Sequence, residues 1–247
     1  GSTLYKEDIL ALRSEGHSTD SIVTELTTSD VRNACDLFLP TFIESNQVDG
    51  RVSIEVDPRL AYNTEETIAQ GKLLHSIVNR PNLLIKVPAT LDGLPAIEEL
   101  TAQGISINVT LIFSTPRYEA VMDAYLRGIE RRVANNLSVS DIHSVASFFV
   151  SRIDADIDKK LDAISTNHPL RGKAAIANAD LAYEAYLKVL NSTRWAKLAA
   201  LGANMQRPLW ASTGVKDKTY DSTRYVVELV ALNCVNTMPE GTLNEVR

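Results

Sequence analysis

Lys86 stands among aliphatic neighbours, with Leu83, Leu84 and Ile85 before it and Val87 after it. A lysine held in such a setting loses hydration of its ammonium form, so its proton affinity falls and a free amine becomes available near neutral pH. Such an amine attacks a carbonyl and, with loss of water, forms a Schiff base. Both the dehydration and the later making or breaking of a carbon–carbon bond need a proton carrier beside the lysine. Glu55, on the preceding strand with matching side-chain direction, supplies a carboxylate. Asn108 and Thr110, of the same parity on the following strand, can bond substrate hydroxyls or hold a water. A purely structural ion pair between Lys86 and Glu55 is the alternative, and the local pattern leaves both readings open.

These residues are useful only if strands bring them together, and the hydrophobic period predicts such strands. Residues 51–56 alternate strictly, with Val52, Ile54 and Val56 on one face and Arg51, Ser53 and Glu55 on the other. Further strands are expected at residues 82–87, stopped by Pro88, and at 106–113, 145–150, 208–212 and 234–238. Between them helical spacing predicts helices over Thr64–Val78, Leu94 to Leu100, residues 116–134, residues 155–164, Ala174–Leu190, residues 195–201 and residues 222–229. Before the first strand, residues 4–44 read as helices, with Gly16 closing one and Ser29-Asp30 capping the next. Strands separated by helices imply parallel βαβ units.

The polarity of the strand faces distinguishes a barrel from an open sheet. Ser53 and Glu55, Asn82 and Lys86, and Ser106, Asn108 and Thr110 make one face polar. Ile54 and Val56, Leu83, Ile85 and Val87, and Ile107, Val109 and Leu111 make the other aliphatic. A doubly wound sheet is covered by helices on both faces and should be apolar on both. A (β/α)8 barrel covers only its outer face and can hold a polar site within, toward the C-terminal ends of its strands. The expected fold is therefore an α/β barrel of TIM type in one domain, residues 1–247. Six strands are legible where eight close such a barrel, and the expectation is that the first two strands and a C-terminal helix fall outside this sequence.

The chain has 247 residues, 45% hydrophobic and 23% charged, as for a soluble globular protein. Its net charge is −6, from 25 basic and 31 acidic residues, and no Lys/Arg block suits a nucleic-acid or membrane partner. Cys35 and Cys234 lie far apart, as expected of buried free thiols in a reducing cytoplasm. No apolar run approaches the roughly 20 residues that span a bilayer. His17, His75, His143 and His168 share no ligand spacing, so no metal is expected. Trp195 and Trp210 read as packing residues and the charged run from Asp154 to Lys160 as the solvated face of a helix. Gly172-Lys173 lacks the rest of a phosphate-binding loop.

Several segments together resemble the transaldolase family. They are Val52-Ser-Ile-Glu-Val-Asp57, Leu84-Ile-Lys-Val-Pro-Ala-Thr90, Gly104-Ile-Ser-Ile-Asn-Val-Thr-Leu-Ile-Phe-Ser114 and Trp210-Ala-Ser-Thr-Gly-Val-Lys216. The helical insertions and Val235-Asn-Thr-Met-Pro239 resemble its bacterial branch, a domain sometimes fused to glucose-6-phosphate isomerase. The resemblance implies a cofactor-free cytoplasmic enzyme of the pentose phosphate pathway. It would move a dihydroxyacetone unit from sedoheptulose 7-phosphate to glyceraldehyde 3-phosphate, giving erythrose 4-phosphate and fructose 6-phosphate. Lys86 then matches the Schiff-base lysine, Glu55 the proton-relay carboxylate, and Asn108 and Thr110 the polar pair after it. Ser147 and Arg152, in Val145-Ala-Ser-Phe-Phe-Val-Ser-Arg152, match the residues that hold the donor phosphate, and Ser212 matches a further serine. Gly214 falls near the place of a second phosphate-binding arginine, for which Lys216 could substitute. The aspartate of the family's first strand and the Thr-Ser/Thr-Asn-Pro segment of its second do not occur here, so the readable strands correspond to its third to eighth. A Schiff-base aldolase acting without an acceptor, or an inactive barrel serving as a binding module, are the rival functions. The oligomeric state stays open.

Overall fold

The computed structural model describes residues 4–247. Helices α1 (Lys6–Ser14) and α2 (Thr19–Glu44) precede strand β1 (Val52–Glu55), and a 3-10 turn at Pro58–Leu60 leads into α3 (Thr64–Val78). Then follow β2 (Leu83–Pro88), α4 (Gly93–Ala102), β3 (Ile107–Ile112), α5 (Thr115–Ala134) and β4 (Ser144–Phe149). Three helices, α6 (Ser151–Ile164), α7 (Ala174–Leu190) and α8 (Thr193–Ala199), lie between β4 and β5 (Arg207–Ala211). Helix α9 (Arg224–Val227), strand β6 (Val235–Asn236) and α10 (Glu240–Val246) complete the described chain. The six strands lie in sequence order and every neighbouring pair is parallel. The sheet curls into a half-barrel with the helices around it, the α/β architecture of TIM type that the polar and apolar strand faces predict.

Local signals place most boundaries. Helix α3 starts where the Asn63 side chain accepts from Glu66 N at 3.1 Å, and it ends at Asn79, whose φ of 47° turns the chain left-handed. Helix α2, by contrast, runs unbroken for 26 residues from the Ser18 cap, so Ser29-Asp30 begins no new helix. The Thr27 and Thr28 hydroxyls donate back to Val23 O and Thr24 O, each at 2.7 Å, and so stay within the helical ladder. Their turn-forming chemistry is spent inside the helix, while Ile22, Thr28, Cys35 and Phe42 carry one buried stripe through it.

The outer face of the sheet and the surrounding helices share one core. Ile54, Val56, Ile85, Val87, Ile107, Val109, Phe148 and Trp210 are all buried in it. Trp195 packs in a second cluster with Tyr125 and Leu198, so both tryptophans are packing residues. Cys35 is fully buried and Cys234 partly so, both as free thiols. Leu111 departs from the predicted face. The β3–β4 register shifts between Val109 and Ile112, Leu111 takes a φ of 62° and is 40% exposed, and Ile112 fills the buried outer position. A bulge of this kind adds one residue to a strand and reverses the parity beyond it.

The inner face is less uniformly polar than its first strands suggest, because Leu84, Val145, Phe149, Leu209 and Ala211 form an apolar cluster there. Two of its polar residues fasten the chain rather than line a site. Asn82 donates to Cys35 O and Gly50 O, both at 2.8 Å, and Ser106 accepts from His143 N at 3.1 Å. His143 is pushed down to about 4 by burial and by Arg51 and Arg207, which suits a neutral structural imidazole. The charged run in α6 is not simply solvated either, since Asp154 and Asp158 are buried. Asp154 accepts from Ala175 N at 2.8 Å and Tyr225 Oη at 2.6 Å, and Asp158 accepts from Gly172 N at 2.9 Å and Tyr220 Oη at 2.7 Å. These partners come from distant segments, which the run itself cannot reveal.

Among the described residues helices α4 and α5 make the most extensive helical contact, and Gly128 permits it. A Cβ at Gly128 would lie 2.6 Å from Thr101 Cβ and 2.7 Å from Glu98 O. Alanine is intrinsically the better helix residue by about 1 kcal/mol, yet overpacking against backbone costs about 1–3 kcal/mol. Gly128→Ala should therefore lower stability in urea unfolding, and an unchanged or raised midpoint would show that the two helices separate freely.

Candidate active site

Parallel pairing aligns the chemical groups. Glu55 ends β1 directly opposite Lys86 of β2, and Lys86 pairs in turn with Asn108 of β3. Lys86 Nζ lies 3.2 Å from Glu55 Oε2. The lysine side chain is 28% exposed and the carboxylate 43%, so the expected apolar enclosure of the amine is only partial in this structure. The pair opens toward solvent while the lysine stem sits among the buried residues of β2.

A second row of hydrogen bonds crosses the same face. Asn108 Nδ2 donates to Ser53 Oγ at 3.0 Å, and Ser147 Oγ donates to Asn108 Oδ1 at 2.7 Å. The Asn108 amide is thus held from both ends, between β1 and β4, with its orientation fixed. Thr110 follows on the same strand, fully buried, with no protein partner for Oγ1. An unsatisfied buried hydroxyl is destabilising by about 1–3 kcal/mol, and such groups cluster where structure serves chemistry. The bulge at Leu111 begins just beyond it, as bulges near sites often do.

Arg152 lies in the first turn of α6, exposed, with its guanidinium 5.1 Å from the centre of the Phe149 ring. Phe149 packs in turn on Phe113, their ring centres 5.3 Å apart. The aromatic face restrains the cation without consuming its hydrogen-bond donors. Ser212 follows β5, and its hydroxyl lies 3.0 Å from that of Ser151. Lys216 lines a cleft of about 620 Å³ with Ser151, Asp154, Asp158, Arg171 and Tyr220, which neither Lys86 nor Glu55 lines. At Gly214 a Cβ would meet Pro239 Cγ at 2.9 Å, so a longer side chain there requires Pro239 to move.

The structure therefore brings Lys86 and Glu55 together, and joins Asn108 to Ser147. It places Arg152 and Ser212 just past the C-terminal ends of the neighbouring strands β4 and β5. Ser53, Ser151 and Phe149 are additions. Ser53 shares the parity of Glu55 and was legible from that alternation, whereas Ser151 and Phe149 show their parts only through contacts across strands. Among the described residues no group of three or more His, Cys, Asp or Glu side chains is placed to hold a metal ion. No helix among them is long and apolar enough to cross a membrane.

The family model described as Transaldolase/Fructose-6-phosphate aldolase matches residues 1–247. A transaldolase of Renibacterium salmoninarum is 56% identical over 244 residues, 98% of this chain and 65% of the relative. One from Mycolicibacterium smegmatis is 57% identical over 246 residues, 99% of this chain and 66% of the relative. Transaldolase 2 of Streptomyces coelicolor is 56% identical over 241 residues, 97% of this chain. The chain spans 65% of the length of the first of these relatives. On the family match over its whole length and on these identities, the chain belongs to the transaldolase/fructose-6-phosphate aldolase family.

Proposed function

We propose that the protein is a transaldolase of the pentose phosphate pathway, acting through a Schiff base on Lys86. The observation that carries this reading is the Lys86–Glu55 pair, 3.2 Å apart on the inner face of the sheet. Proton transfer from Lys86 to Glu55 frees the amine, which attacks the ketone carbon of sedoheptulose 7-phosphate. The resulting carbinolamine takes a proton on its oxygen and loses water, giving the imine. Transfer of the substrate's C4 hydroxyl proton to the Glu55 carboxylate, ionised again after it has protonated the carbinolamine, breaks the C3–C4 bond, releases erythrose 4-phosphate and leaves a three-carbon enamine on Lys86. Attack of that enamine on glyceraldehyde 3-phosphate, then hydrolysis of the imine, gives fructose 6-phosphate.

In this reading Thr110 and Glu55 share the water of the carbinolamine step, and Asn108 is a hydrogen-bonding group for substrate. Ser147, Arg152 and Ser212 serve the phosphorylated end, with Lys216 as a further cation in place of a side chain at Gly214. Residues 1–247 act as part of one barrel domain, in the cytoplasm, on small sugar phosphates, without nucleic acid, membrane or cofactor. The names of the relatives favour acceptor transfer over simple aldol cleavage. The test is a product assay of the protein as its gene encodes it, with fructose 6-phosphate as donor. Erythrose-4-phosphate-dependent formation of sedoheptulose 7-phosphate is expected, and free dihydroxyacetone released equally well without acceptor would identify an aldolase instead.

Arg152 gives a narrower test. A guanidinium bonds a phosphate by charge-assisted hydrogen bonds, each about 1.5–3 kcal/mol, so one lost bond weakens binding roughly 10- to 100-fold. Arg152→Ala should raise KM for phosphorylated sugars by that order and leave KM for fructose nearly unchanged. Equal losses on both substrates would assign Arg152 to the scaffold.

A further inference from the structure

We propose that Ser151 is a positioning residue that aims the Ser212 hydroxyl at the substrate phosphate, an inference that rests on the role given to Ser212 above. Ser212 has a φ of 57°, a left-handed conformation that a residue with a side chain keeps only where its surroundings hold it. Helix α6 does the holding. Ser151 N donates to Ser212 O at 3.0 Å, and one residue earlier Val150 N donates to Ala211 O at 3.0 Å. The two serine hydroxyls are 3.0 Å apart, with Ser151 only 1% exposed and Ser212 half-buried.

The proton inventory gives this pair a direction. Each hydroxyl has one proton to donate, and a phosphate dianion only accepts. When Ser212 donates outward to phosphate, its own oxygen is left to accept, and Ser151 is the donor placed to reach it. Ser151 thereby turns the Ser212 proton outward and increases its polarity, since hydrogen bonds in a chain polarise one another. The pair matters more here because Gly214 offers no side-chain donor, and a side chain there would require Pro239 to move. Arg152 is the next residue along α6, so a single helical turn sets both the cation and the hydroxyl.

The experiment compares Ser151→Ala and Ser151→Thr with the wild type, using the protein as its gene encodes it. Loss of one neutral hydrogen bond corresponds to roughly 2- to 10-fold in affinity. Ser151→Ala should therefore raise KM for fructose 6-phosphate by about that factor, with kcat and the KM for fructose nearly unchanged. Ser151→Thr, which keeps the hydroxyl, should restore the wild-type KM. Equal changes on both sugars, equal weakening in both variants, or no change would overturn the proposal. A calorimetric titration with inorganic phosphate keeps it separate from the function itself. Should the wild type show no acceptor-dependent transfer, the transaldolase reading fails. Weaker phosphate binding by Ser151→Ala alone would still support the positioning role, and equal or absent binding would refute it.

Discussion

Borohydride reduction in the presence of fructose 6-phosphate is expected to leave a three-carbon adduct on the peptide that carries Lys86, and Lys86→Met to abolish transfer. Removal of a covalent nucleophile typically lowers turnover by on the order of 10⁴- to 10⁶-fold, because no neighbouring group can replace the bond it forms. The alternative, a structural ion pair, predicts the opposite balance. A pair as open as Lys86 and Glu55 contributes only about 0–1 kcal/mol to stability. Methionine keeps most of the aliphatic stem that packs within β2, so Lys86→Met should unfold near the wild-type temperature. Activity and stability are thus separable at this residue. An adduct on another lysine, such as Lys72 of α3, with full activity in Lys86→Met, would return Lys86 to the scaffold. Lys86→Arg sharpens the comparison, since it preserves the positive charge beside Glu55 but carries no amine able to form an imine.

The framework around this lysine was legible because its signals are local. Asn63 and Asn79 bound α3 by side-chain capping and a left-handed turn, and the predicted Thr64–Val78 is the helix observed. Helix α7 is likewise Ala174–Leu190, as its apolar period predicts. Alternation placed Glu55, Lys86 and Asn108 on one face, and parallel register then set them side by side without further information. Period fails where a residue's partner lies far along the chain. Nothing near Leu111 announces the bulge that turns it outward, and nothing near Asp154 or Asp158 announces Tyr225 or Tyr220. At Ser29 the local signal misleads, because hydroxyl-bearing residues that open helices also fit inside one, as Thr27 and Thr28 do just before it by bonding back to helix carbonyls. Ser147, Arg152 and Ser212 were singled out through family resemblance, since a serine or arginine at a strand end has no period of its own. Their contacts supply what the pattern lacked, namely a bond from Ser147 to Asn108, an aromatic face under Arg152 and a hydroxyl beside Ser212.

Glu55→Gln should lower turnover by about 10²- to 10⁴-fold, the usual contribution of a positioned acid or base, while KM changes little. Glutamine is nearly the same size as glutamate and can still accept a hydrogen bond from the Lys86 ammonium at the observed 3.2 Å. It cannot take the proton that the amine must lose, nor return one to the carbinolamine oxygen. The loss should therefore fall on imine formation, seen as a slow single-turnover trapping of the Lys86 adduct, rather than on substrate binding. Glu55 shares no hydrogen bond with the Ser53–Asn108–Ser147 row, so the substitution leaves those bonds in place. Glu55→Ala serves as the complementary variant. It removes the hydrogen bond as well as the base, and an exogenous carboxylate such as formate should restore part of its turnover by occupying the space released. Rescue of Glu55→Ala together with inactivity of Glu55→Gln would place the proton transfer at this carboxylate. Near-normal turnover in Glu55→Gln would instead make Glu55 a structural counter-charge, and the proton relay would then have to come from another group on the inner face.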